Sequence, residues 1–566
     1  MQPTPYRATR TDPVVAAAAA RHGASPLVML PVLRDVQRDT GRPLDRAALG
    51  AAADALGVSD ARVYGAASFY SLLAVAPHAV RVCDGPVCMA RGGAATRAAV
   101  QSAAAGYGWA VERCSCLGLC DRAPAALVGL EPYGPVAAEN AAAALAGPPG
   151  PMPDYSVPRP GEVRVATERV GRIDPDSIDD ALAAGAYQVL SRALDGAPEQ
   201  VLDAVDRAGL RGCGGAGFPA GRKWRMVAAE PGPGKCVVCN ADESEPATFK
   251  DRVLMDADPH RLLEGMALAA YAVGAAEGVV YVRGEYEWVA RRLERAIGQA
   301  AGRGLLGAFR VRVHRGAGAY VCGEETALLE SLEGKRGEPR SRPPYPTTHG
   351  YLGRPTLVNN VETLCHVPAV VAHGPERFRS AGTPHSPGTK VFCLTGCVNR
   401  PGVVEVPLGV TLRQLVEHFG GGVRDGSRLK GVLAGGAAGT VVPPALFDVP
   451  LDFDSHRHGV ALGSGGMFAF DDSLPVPTLL TWLLRFFEAE SCGKCTPCRE
   501  GSREARAAAD RLDAAPTPDD AARLLWLTRQ MNLTSLCGLG QSVALPVESA
   551  LRHFGDEFAA GRPEGS

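Results

Sequence analysis

Apolar residues change their spacing several times along the chain, and these changes divide it into segments. Between Pro26 and Val75 they recur every three or four positions, as in LVMLPVLRDVQRDTG, which predicts amphipathic helices. The period then shortens, and HAVRVC and two pieces between Gly106 and Val128 predict short strands. Proline and glycine crowd AGPPGPMPDYSVPRPG, residues 146–161, where neither a helix nor a central strand can continue. This stretch predicts a linker.

The middle of the chain alternates between the two periods. Strand-like runs (CVVCN, GVVYVR, FRVRVH) are separated by helical ones (RLLEGMALAAYAVG, YEWVARRLERAIGQA, EETALLESLEG). This alternation predicts an α/β domain. In the smaller unit that follows, TKVFCLTG and GVVEVPLG predict paired strands, and TLRQLVEHFGGG predicts an amphipathic helix that ends at glycines.

The C-terminal part is helical again. In PTLLTWLLRFFEAE five large side chains share one helical face: Leu479, Trp482, Leu483, Phe486 and Phe487. Thr517 and Pro518 are typical of the cap and first position of a further helix. We therefore predict a small helical bundle, with the cysteine run ESCGKCTPCREG at the end of its first helix.

These patterns predict a multidomain α/β protein. The predicted segments are a helical segment with a strand-containing domain (1–145), a linker (146–187), an α/β domain (188–385), a compact α+β module (386–475) and a helical bundle (476–566).

Composition and charge exclude several classes of protein. The 566 residues carry a net charge of −2 with pI about 6.6, so no global basic field favours nucleic acid. No stretch approaches the roughly 18 apolar residues of a membrane-spanning helix, and the N-terminal stretch has no apolar core of signal-peptide type. We expect a cytoplasmic protein. There, the sixteen cysteines are better candidates for metal ligands than for disulfides.

The densest cysteine group is Cys492, Cys495 and Cys498, two consecutive C-x2-C steps. Thiolates at this spacing can hold one side of a [4Fe–4S] cluster, which needs four ligands. Cys537, in SLCGLG, is the only cysteine downstream and is therefore predicted as the fourth. Zinc is the alternative metal.

The first domain contains a second group. Cys83 and Cys88 follow a predicted strand, and Cys116 and Cys120 lie in CSCLGLCDRAP. Two cysteine pairs from separate loops can hold a [2Fe–2S] cluster, with zinc again the alternative. Cys114 alternates with Cys116 and is interpreted as a small buried residue.

The remaining cysteines form no third set and are interpreted as structural: Cys213, Cys236, Cys239, Cys322, Cys365, Cys393 and Cys397.

A glycine-rich stretch opens the α/β domain. GLRGCGGAGFPAGRKW contains Gly212, Gly214 and Gly217 in a formal G-x-G-x-x-G, but QVLDAVDRAGL before it predicts a helix, whereas a Rossmann fingerprint follows a strand. Clustered glycines still allow backbone N–H groups to point at an anion or a flat ring, and Lys223 adds positive charge. A plain glycine-rich turn is the alternative.

Three further stretches place polar residues where ligands bind open α/β sheets. They are HRGAGAYVCGEETALLESLEG, NADESEPATFKDR and LVNNVET. Glu324 and Glu325 fall in the first turn of a predicted helix, where capping alone could explain them. Together the loops could surround a nucleotide or flavin, and a flavin beside two clusters indicates electron transfer.

Read together, these motifs resemble a known family. The glycine-rich and polar stretches, with PTLVNNVET, SCGKCTPCREG and SLCGLG, resemble the NADH-oxidising flavoprotein subunit of respiratory complex I. VCDGPVC and CLGLCDRAP resemble its thioredoxin-like [2Fe–2S] companion. Fusion of both in one chain is similar to the diaphorase subunits of NAD-dependent formate dehydrogenases and hydrogenases. VTLRQLVEHFGGGVRDG, AGGAAGTVVPPALFDVPLDF and LCGLGQSVALPVESALRHF are most similar to the β subunit of the formate dehydrogenases.

The resemblance implies a thioredoxin-like first domain, a non-covalent FMN in the α/β domain, a ubiquitin-like (β-grasp) module and a [4Fe–4S] bundle. By motif position, the implied FMN and NAD residues are Gly212, Gly214, Gly215, Gly217, Phe218, Lys223, Asn240, Asp242, Glu243, Tyr320, Gly323, Glu324, Tyr345, Asn359, Asn360 and Thr363. Phe218 and Tyr345 would line the NAD site, while Glu245 and Glu325 are the implied catalytic residues.

Five positions depart from the family pattern. Cys213 stands where arginine is usual, Ala247 where glycine is usual, and Arg342 where lysine is common. Met226 and Tyr345 replace phenylalanines, and only tyrosine keeps a stacking face. These departures concern NAD affinity more than the chemistry.

The resemblance implies an NAD+-reducing subunit of a formate dehydrogenase. A partner subunit would oxidise formate at a molybdenum or tungsten pterin, and electrons would pass through iron–sulfur clusters to FMN and NAD+. The alternatives are the diaphorase of an NAD-linked hydrogenase or a fused complex I module, and, from another class, a zinc-stabilised scaffold without redox activity.

Overall fold

The computed structural model describes residues 10–73, 79–424 and 426–559. The predicted helical stretch to Val75 and the predicted strand start at His78 reach outside these ranges, as do both termini. Within the described ranges, no helix combines the length and apolar character needed to cross a bilayer.

An N-terminal group of helices covers one side of the α/β domain. Its members are α1 (Pro13–His22), α2 (Met29–Thr40), α3 (Arg46–Leu56) and α4 (Asp60–Phe69). Asp12 and Asp45 accept hydrogen bonds from the first turns of α1 and α3. Their apolar faces share a buried cluster with Val238 and Leu328 of the α/β domain, so this segment packs onto the core of that domain.

The first strand-containing domain is a small mixed sheet with helices. It contains β1 (Val80–Cys83), α5 (Pro86–Ala90), α6 (Gly93–Ala105), β2 (Val111–Cys114), β3 (Ala126–Val128), β4 (Glu131–Tyr133) and α7 (Ala141–Ala146). The strand order is β2-β1-β3-β4, with β1 parallel to β2 and antiparallel to β3. Residues 147–161 form neither helix nor strand, as their proline content predicts.

The central domain contains a four-stranded parallel sheet. Its elements are α8 (Ile178–Ala183), α9 (Gln188–Leu194), α10 (Pro198–Ala208), α11 (Ala220–Ala229), β5 (Cys236–Ala241), α12 (Lys250–Ala257), α13 (Pro259–Val273), β6 (Glu277–Val282), α14 (Glu287–Gly302), β7 (Arg310–Arg315), α15 (Glu325–Leu332), α16 (Pro346–His349), β8 (Thr356–Asn360), α17 (Val361–His373) and α18 (Pro375–Arg379). The spatial order is β7-β6-β5-β8. The chain adds β6 and β7 on one side of β5 and then returns to place β8 on the other side, so the topological switch point lies between β5 and β8. Ligands bind open α/β sheets at such a point.

The next module has the strand order of a β-grasp fold. Its strands are β9 (Thr389–Gly396), β10 (Gly402–Pro407), β11 (Leu429–Ala434), β12 (Thr440–Val442) and β13 (Gly466–Asp471). They run β10-β9-β13-β11-β12, with β13 parallel to β9. The predicted amphipathic helix is instead a π-helical segment, Gln414–Phe419, because the Gly420 N–H reaches back five residues to the carbonyl of Leu415.

The C-terminal bundle follows the prediction. It contains α19 (Val476–Glu490), α20 (Thr496–Ala514), α21 (Pro518–Thr534), α22 (Gly538–Ser542) and α23 (Ala544–His553). Thr517 caps α21, and Pro518 occupies its first turn. The cysteine run lies between α19 and α20, at the end of the first helix.

Candidate functional site

The polar ends of β5 and β8 lie side by side at the topological switch point of the parallel sheet. Asn240 and Asn360 are register partners on these parallel strands. A Cβ added to Gly214 would lie 3.2 Å from the Cβ of Asn360, so the glycine-rich loop passes directly over the strand ends. The structure thus brings together three stretches that are far apart in the sequence.

The glycine-rich loop follows helix α10, as its sequence predicts, and not a strand. Gly215 and Gly217 have φ of +119° and +63°, a region that glycine adopts without strain. The Cys213 N–H donates to Thr363 Oγ1 at 2.9 Å, which ties the loop to α17. Backbone at Gly212 and Gly214 therefore faces the strand ends without intervening side chains.

Lys223 and Glu325 form an ion pair at one side of this pocket. Their Nζ and Oε2 atoms are 2.9 Å apart, and the lysine also donates to the Val358 carbonyl. Beside them, Trp224 donates its ring N–H to Asn359 Oδ1 at 2.8 Å. Lys223 thus supplies positive charge at the pocket in a fixed position.

The loop after β5 forms the opposite side. Asn240 Nδ2 donates to the Gly323 carbonyl at 2.8 Å, and Asp242 Oδ2 is a buried oxygen without a partner in the described part of the chain. The hydroxyl of Tyr320 donates to Glu245, which also accepts from the backbone of Ala438 in the β-grasp module. Burial raises the pKa of Glu245 to about 7.

Two predicted ligand residues use their carboxylates on the backbone. Glu243 accepts from the N–H groups of Asp251 and Arg252, at 2.8 and 2.9 Å. Glu324 is the N-cap of α15 and accepts from Thr326 and Ala327. Both carboxylates stabilise the first turn of a helix. For Glu324, the contacts are those of the helix cap that the sequence offered as an alternative to ligand binding.

Aromatic side chains stand at the rim of the pocket. Phe218 and Tyr345 are 41% and 51% exposed, and Met226 is 41% exposed. Large apolar side chains left this open in a folded chain are suited to contact a ligand. Arg342 lies 3.7 Å from both Glu324 and Glu325, which places its charge at the same rim.

Ala247 has the backbone conformation of a glycine. Its φ is +71° and its side chain is 1% exposed. A non-glycine residue in this region is strained by roughly 1–2 kcal/mol, which explains why glycine is usual at this position in the family it resembles. Alanine in place of glycine at position 247 therefore strains the backbone of the loop between β5 and α12.

The structure gathers the first cysteine group into one buried cluster. Cys83, Cys88, Cys116 and Cys120 are all at most 6% exposed. The thiols of Cys120 and Cys83 donate hydrogen bonds to Cys116 and hold its pKa well below the ordinary value. Cys114 pairs in register with Cys83, and its thiol instead faces the Cys116 carbonyl.

Two arginines of the α/β domain clamp this cluster from outside. Arg283 is 2% exposed and donates to the carbonyls of Cys116 and Glu243, each at 2.6 Å. Arg252 forms a buried ion pair with Asp121 at 2.6 Å. One arginine therefore joins the cysteine loop to the loop that holds Asp242 and Glu245.

The second cysteine group lines a shared pocket at the start of the bundle. Cys492, Cys495, Cys498 and Cys537 surround it, together with Val321 and Leu539. Cys495 and Cys537 precede the helices α20 and α22, whose N-terminal dipoles favour thiolates. Cys492 and Cys495 are half-buried, unlike any ligand candidate of the first group.

One short segment joins this pocket to the polar strand ends. The 3₁₀ turn Tyr320–Gly323 places Val321 against the cysteines, while Gly323 contacts Asn240. The Tyr320 N–H donates to Glu490 at 2.8 Å, and its ring packs edge-on against Phe486. Four residues therefore span the distance between the two candidate sites.

Sequence reasoning did not find Arg283, Arg252, Glu490 or Ala438. Each acts through a partner more than 100 residues away, as Arg283 does with Cys116. A charged residue directly after the apolar strand GVVYV was the one available signal for Arg283.

The residues present fit the cofactors that the motifs imply. The unpartnered Asp242 oxygen, the fixed Lys223 charge and the open glycine backbone suit a phosphate-bearing ring system. Each four-cysteine group supplies the soft ligands of an iron–sulfur cluster.

Comparison with protein families matches four of these units. Residues 205–369 match the Nuo51 FMN-binding domain, and 478–561 match the NADH-ubiquinone oxidoreductase-F iron-sulfur binding region. Residues 15–147 match the thioredoxin-like [2Fe-2S] ferredoxin family, and 391–443 match the SLBB domain. The fold class expected from the sequence is confirmed.

Individual relatives agree with these matches. The chain is 46% identical over 389 residues to the F 2 subunit of the NADH-quinone oxidoreductase of Rhizobium meliloti, covering 67% of this chain and 92% of the relative. It is 43% identical over 409 residues to the HndC subunit of the NADP-reducing hydrogenase of Solidesulfovibrio fructosivorans, covering 70% and 83%. A crystal structure of an NAD+-reducing [NiFe]-hydrogenase in the H2-reduced state superposes with TM-score 0.82 at 34% identity, covering 98% of this chain and 94% of that chain.

Proposed function

Because the chain belongs to the family of the F-type subunits of NADH-quinone oxidoreductase and carries a thioredoxin-like [2Fe–2S] domain as well, we propose that it is the NAD(H)-reacting diaphorase subunit of a multisubunit oxidoreductase. Its FMN site lies at the ends of β5 and β8. NAD(H) enters past Phe218 and Tyr345, whose exposed rings can stack on the nicotinamide or adenine ring.

FMN, when bound, exchanges a hydride with NAD(H) and single electrons with the clusters. The chain's residues position it. Glycine-loop N–H groups and Lys223 would hold its phosphate, Asn240 and Asn360 at the strand ends would contact it, and Thr363 fixes the loop. Glu245, held by Tyr320 and Ala438, orients the nucleotide, and Glu325 keeps Lys223 in place.

The observation that carries this proposal is the segment Tyr320–Gly323. It contacts the polar strand ends on one side and the pocket of Cys492, Cys495, Cys498 and Cys537 on the other. Such adjacency is what single-electron exchange between a flavin and a cluster requires. A zinc-stabilised scaffold needs no such connection.

Purified protein tests the proposal directly. We expect flavin absorbance, iron with acid-labile sulfide, and NADH-dependent reduction of an artificial electron acceptor. Zinc without sulfide, or a flavin-free chain that cannot oxidise NADH, would overturn it.

The partner subunit has three candidate types. The near-complete overlap with a chain of an NAD+-reducing [NiFe]-hydrogenase supports a hydrogenase partner, and the complex I relatives support a related module. A formate-oxidising molybdenum or tungsten subunit is supported only by the resemblance of the SLBB-region and C-terminal segments. We therefore place the hydrogenase or complex I type first and formate dehydrogenase second.

The purified complex separates these candidates. NAD+ reduction is compared with hydrogen, formate or a quinol as the electron donor, and the co-purifying large subunit is identified by mass spectrometry. Hydrogen-dependent reduction without formate-dependent reduction supports the first candidate, and the reverse supports the second.

A further inference from the structure

A cavity of about 230 Å³ opens between the thioredoxin-like domain and the helical bundle. The first domain contributes Asp84 and Arg113 to its wall, and the bundle contributes Trp482, Arg485 and Arg506. The cavity has room for a small polar molecule, and its walls come from two separate domains.

Positive charge exceeds negative charge in this cavity. Arg506 is neutralised, because it pairs with Glu488 at 3.2 Å and Asp510 at 3.1 Å. The side chains of Arg113 and Arg485 make no hydrogen bond or close ion pair in the ranges the structure describes. They share the single carboxylate of Asp84, which also interacts electrostatically with Arg97.

Arg97 does not line the cavity, but it interacts electrostatically with Asp84 of the cavity wall and has a buried donor without an acceptor. Its Nη1 atom is inaccessible to solvent and has no hydrogen-bond partner among the described residues. The Nε atom of Arg506 is also buried and has no hydrogen-bond partner among the described residues. Buried guanidinium N–H groups without acceptors are costly, so an additional acceptor nearby would lower the free energy of the folded state.

We propose that this cavity is a binding site for a small oxyanion of the phosphate or carboxylate class. Arg113 belongs to the first domain and Arg485 to the bundle, so one anion in the cavity can accept hydrogen bonds from both domains. Guanidinium groups bind such oxyanions in planar, bidentate geometry, and Trp482 shields one side from water. A bound anion would thus fasten the thioredoxin-like domain to the bundle.

Calorimetric titration of the purified full chain with inorganic phosphate, at constant ionic strength, tests the site. We expect saturable binding, weakened at least tenfold by Arg485→Gln. Asp84→Asn should tighten binding several-fold, because it removes the carboxylate that competes for the arginines. Arg503→Gln is the matched control, since this bundle arginine is 65% exposed and lies outside the cavity.

Two results would overturn the proposal: no saturable phosphate binding by the wild-type chain, or equal affinity in the Arg485→Gln variant. The opposite effects expected of Arg485→Gln and Asp84→Asn distinguish a binding defect from misfolding, since misfolding can only weaken binding.

The assembled complex then identifies the source of the anion. If the complex still binds phosphate, the ligand is a free oxyanion. If only the isolated chain binds it, a carboxylate side chain of a partner subunit occupies the site. A chain that binds no phosphate but still oxidises NADH overturns this proposal alone and leaves the proposed function intact.

Discussion

The two cysteine groups differ in how the protein encloses them. The first group is buried, its thiols hydrogen-bond to one another, and Arg283 and Arg252 fix it against the α/β domain. In the second group Cys492 and Cys495 are half-buried in a pocket at the protein surface. Both groups are connected to the loop and strand ends that we propose as the FMN site, the first through Arg283 and the second through Tyr320–Gly323.

This difference suggests different tasks for the two groups. Electron transfer to another subunit requires a centre near the surface, and only the second group meets that condition in the described structure. The first group is enclosed by the chain's own domains, so we expect it to exchange electrons with the FMN that we propose at the strand ends.

Cys537→Ser should remove the [4Fe–4S] signal completely and leave the [2Fe–2S] signal unchanged, because a cubane cluster needs its fourth thiolate. Electron paramagnetic resonance of the dithionite-reduced protein measures both signals. Cys397→Ser, at a buried cysteine outside both groups, should change neither. Survival of both signals in the Cys537 variant would refute the ligand assignment.

Arg252→Gln should loosen the first domain by roughly 3–5 kcal/mol, because it leaves the buried Asp121 carboxylate without its cation, with only the Tyr155 hydroxyl as a donor. Limited proteolysis of the 147–161 linker in increasing urea measures this release. Arg291→Gln is the matched control: its pair with Glu131 joins the same domains but is exposed, so we expect about 0–1 kcal/mol. Equal effects of the two variants would show that a buried ion pair between the first domain and the α/β domain stabilises their contact no more than an exposed one does.

Glu245 lies between the two groups and predicts a pH dependence. Burial raises its pKa from 4.5 in the unfolded chain to about 7 in the folded protein. The folded state therefore binds the Glu245 proton more tightly than the unfolded state does. Glu245 contributes at most about 3 kcal/mol to the free energy of unfolding below pH 4.5, and this contribution is lost as the pH rises through 7. The melting temperature of wild type should fall relative to Glu245→Gln between pH 5 and 8.

Glu277→Gln provides the control for that measurement. The Arg354 hydrogen bond lowers the pKa of Glu277, so this carboxylate stays ionised throughout the same pH range and should give no slope. Parallel melting curves for wild type and Glu245→Gln would contradict the prediction.

Ala247→Gly should stabilise the protein by about 0.5–1 kcal/mol, since relief of the left-handed strain exceeds the entropic cost of glycine. Thermal unfolding detects the change. Ala267→Gly, within helix α13, should have the opposite sign. A destabilised Ala247→Gly variant would mean that the methyl group makes packing contacts that outweigh the strain.

Local patterns predicted much of this architecture. Period changes gave the strands of the parallel sheet, the Thr517 cap and the helical bundle, and cysteine spacing gave both groups. The π-helical turn at Gln414–Phe419 was not predictable, because its amphipathic spacing resembles that of an α-helix. Nor were the Arg283 and Ala438 contacts, which depend on how separate domains pack.

The most direct test of the account is a combined cofactor analysis of the purified chain after reduction by NADH. We expect one FMN per chain, iron and acid-labile sulfide in the proportions of one [2Fe–2S] and one [4Fe–4S] cluster, and electron paramagnetic resonance signals from both cluster types. Zinc in place of iron at either cysteine group, or a chain without flavin, would contradict it.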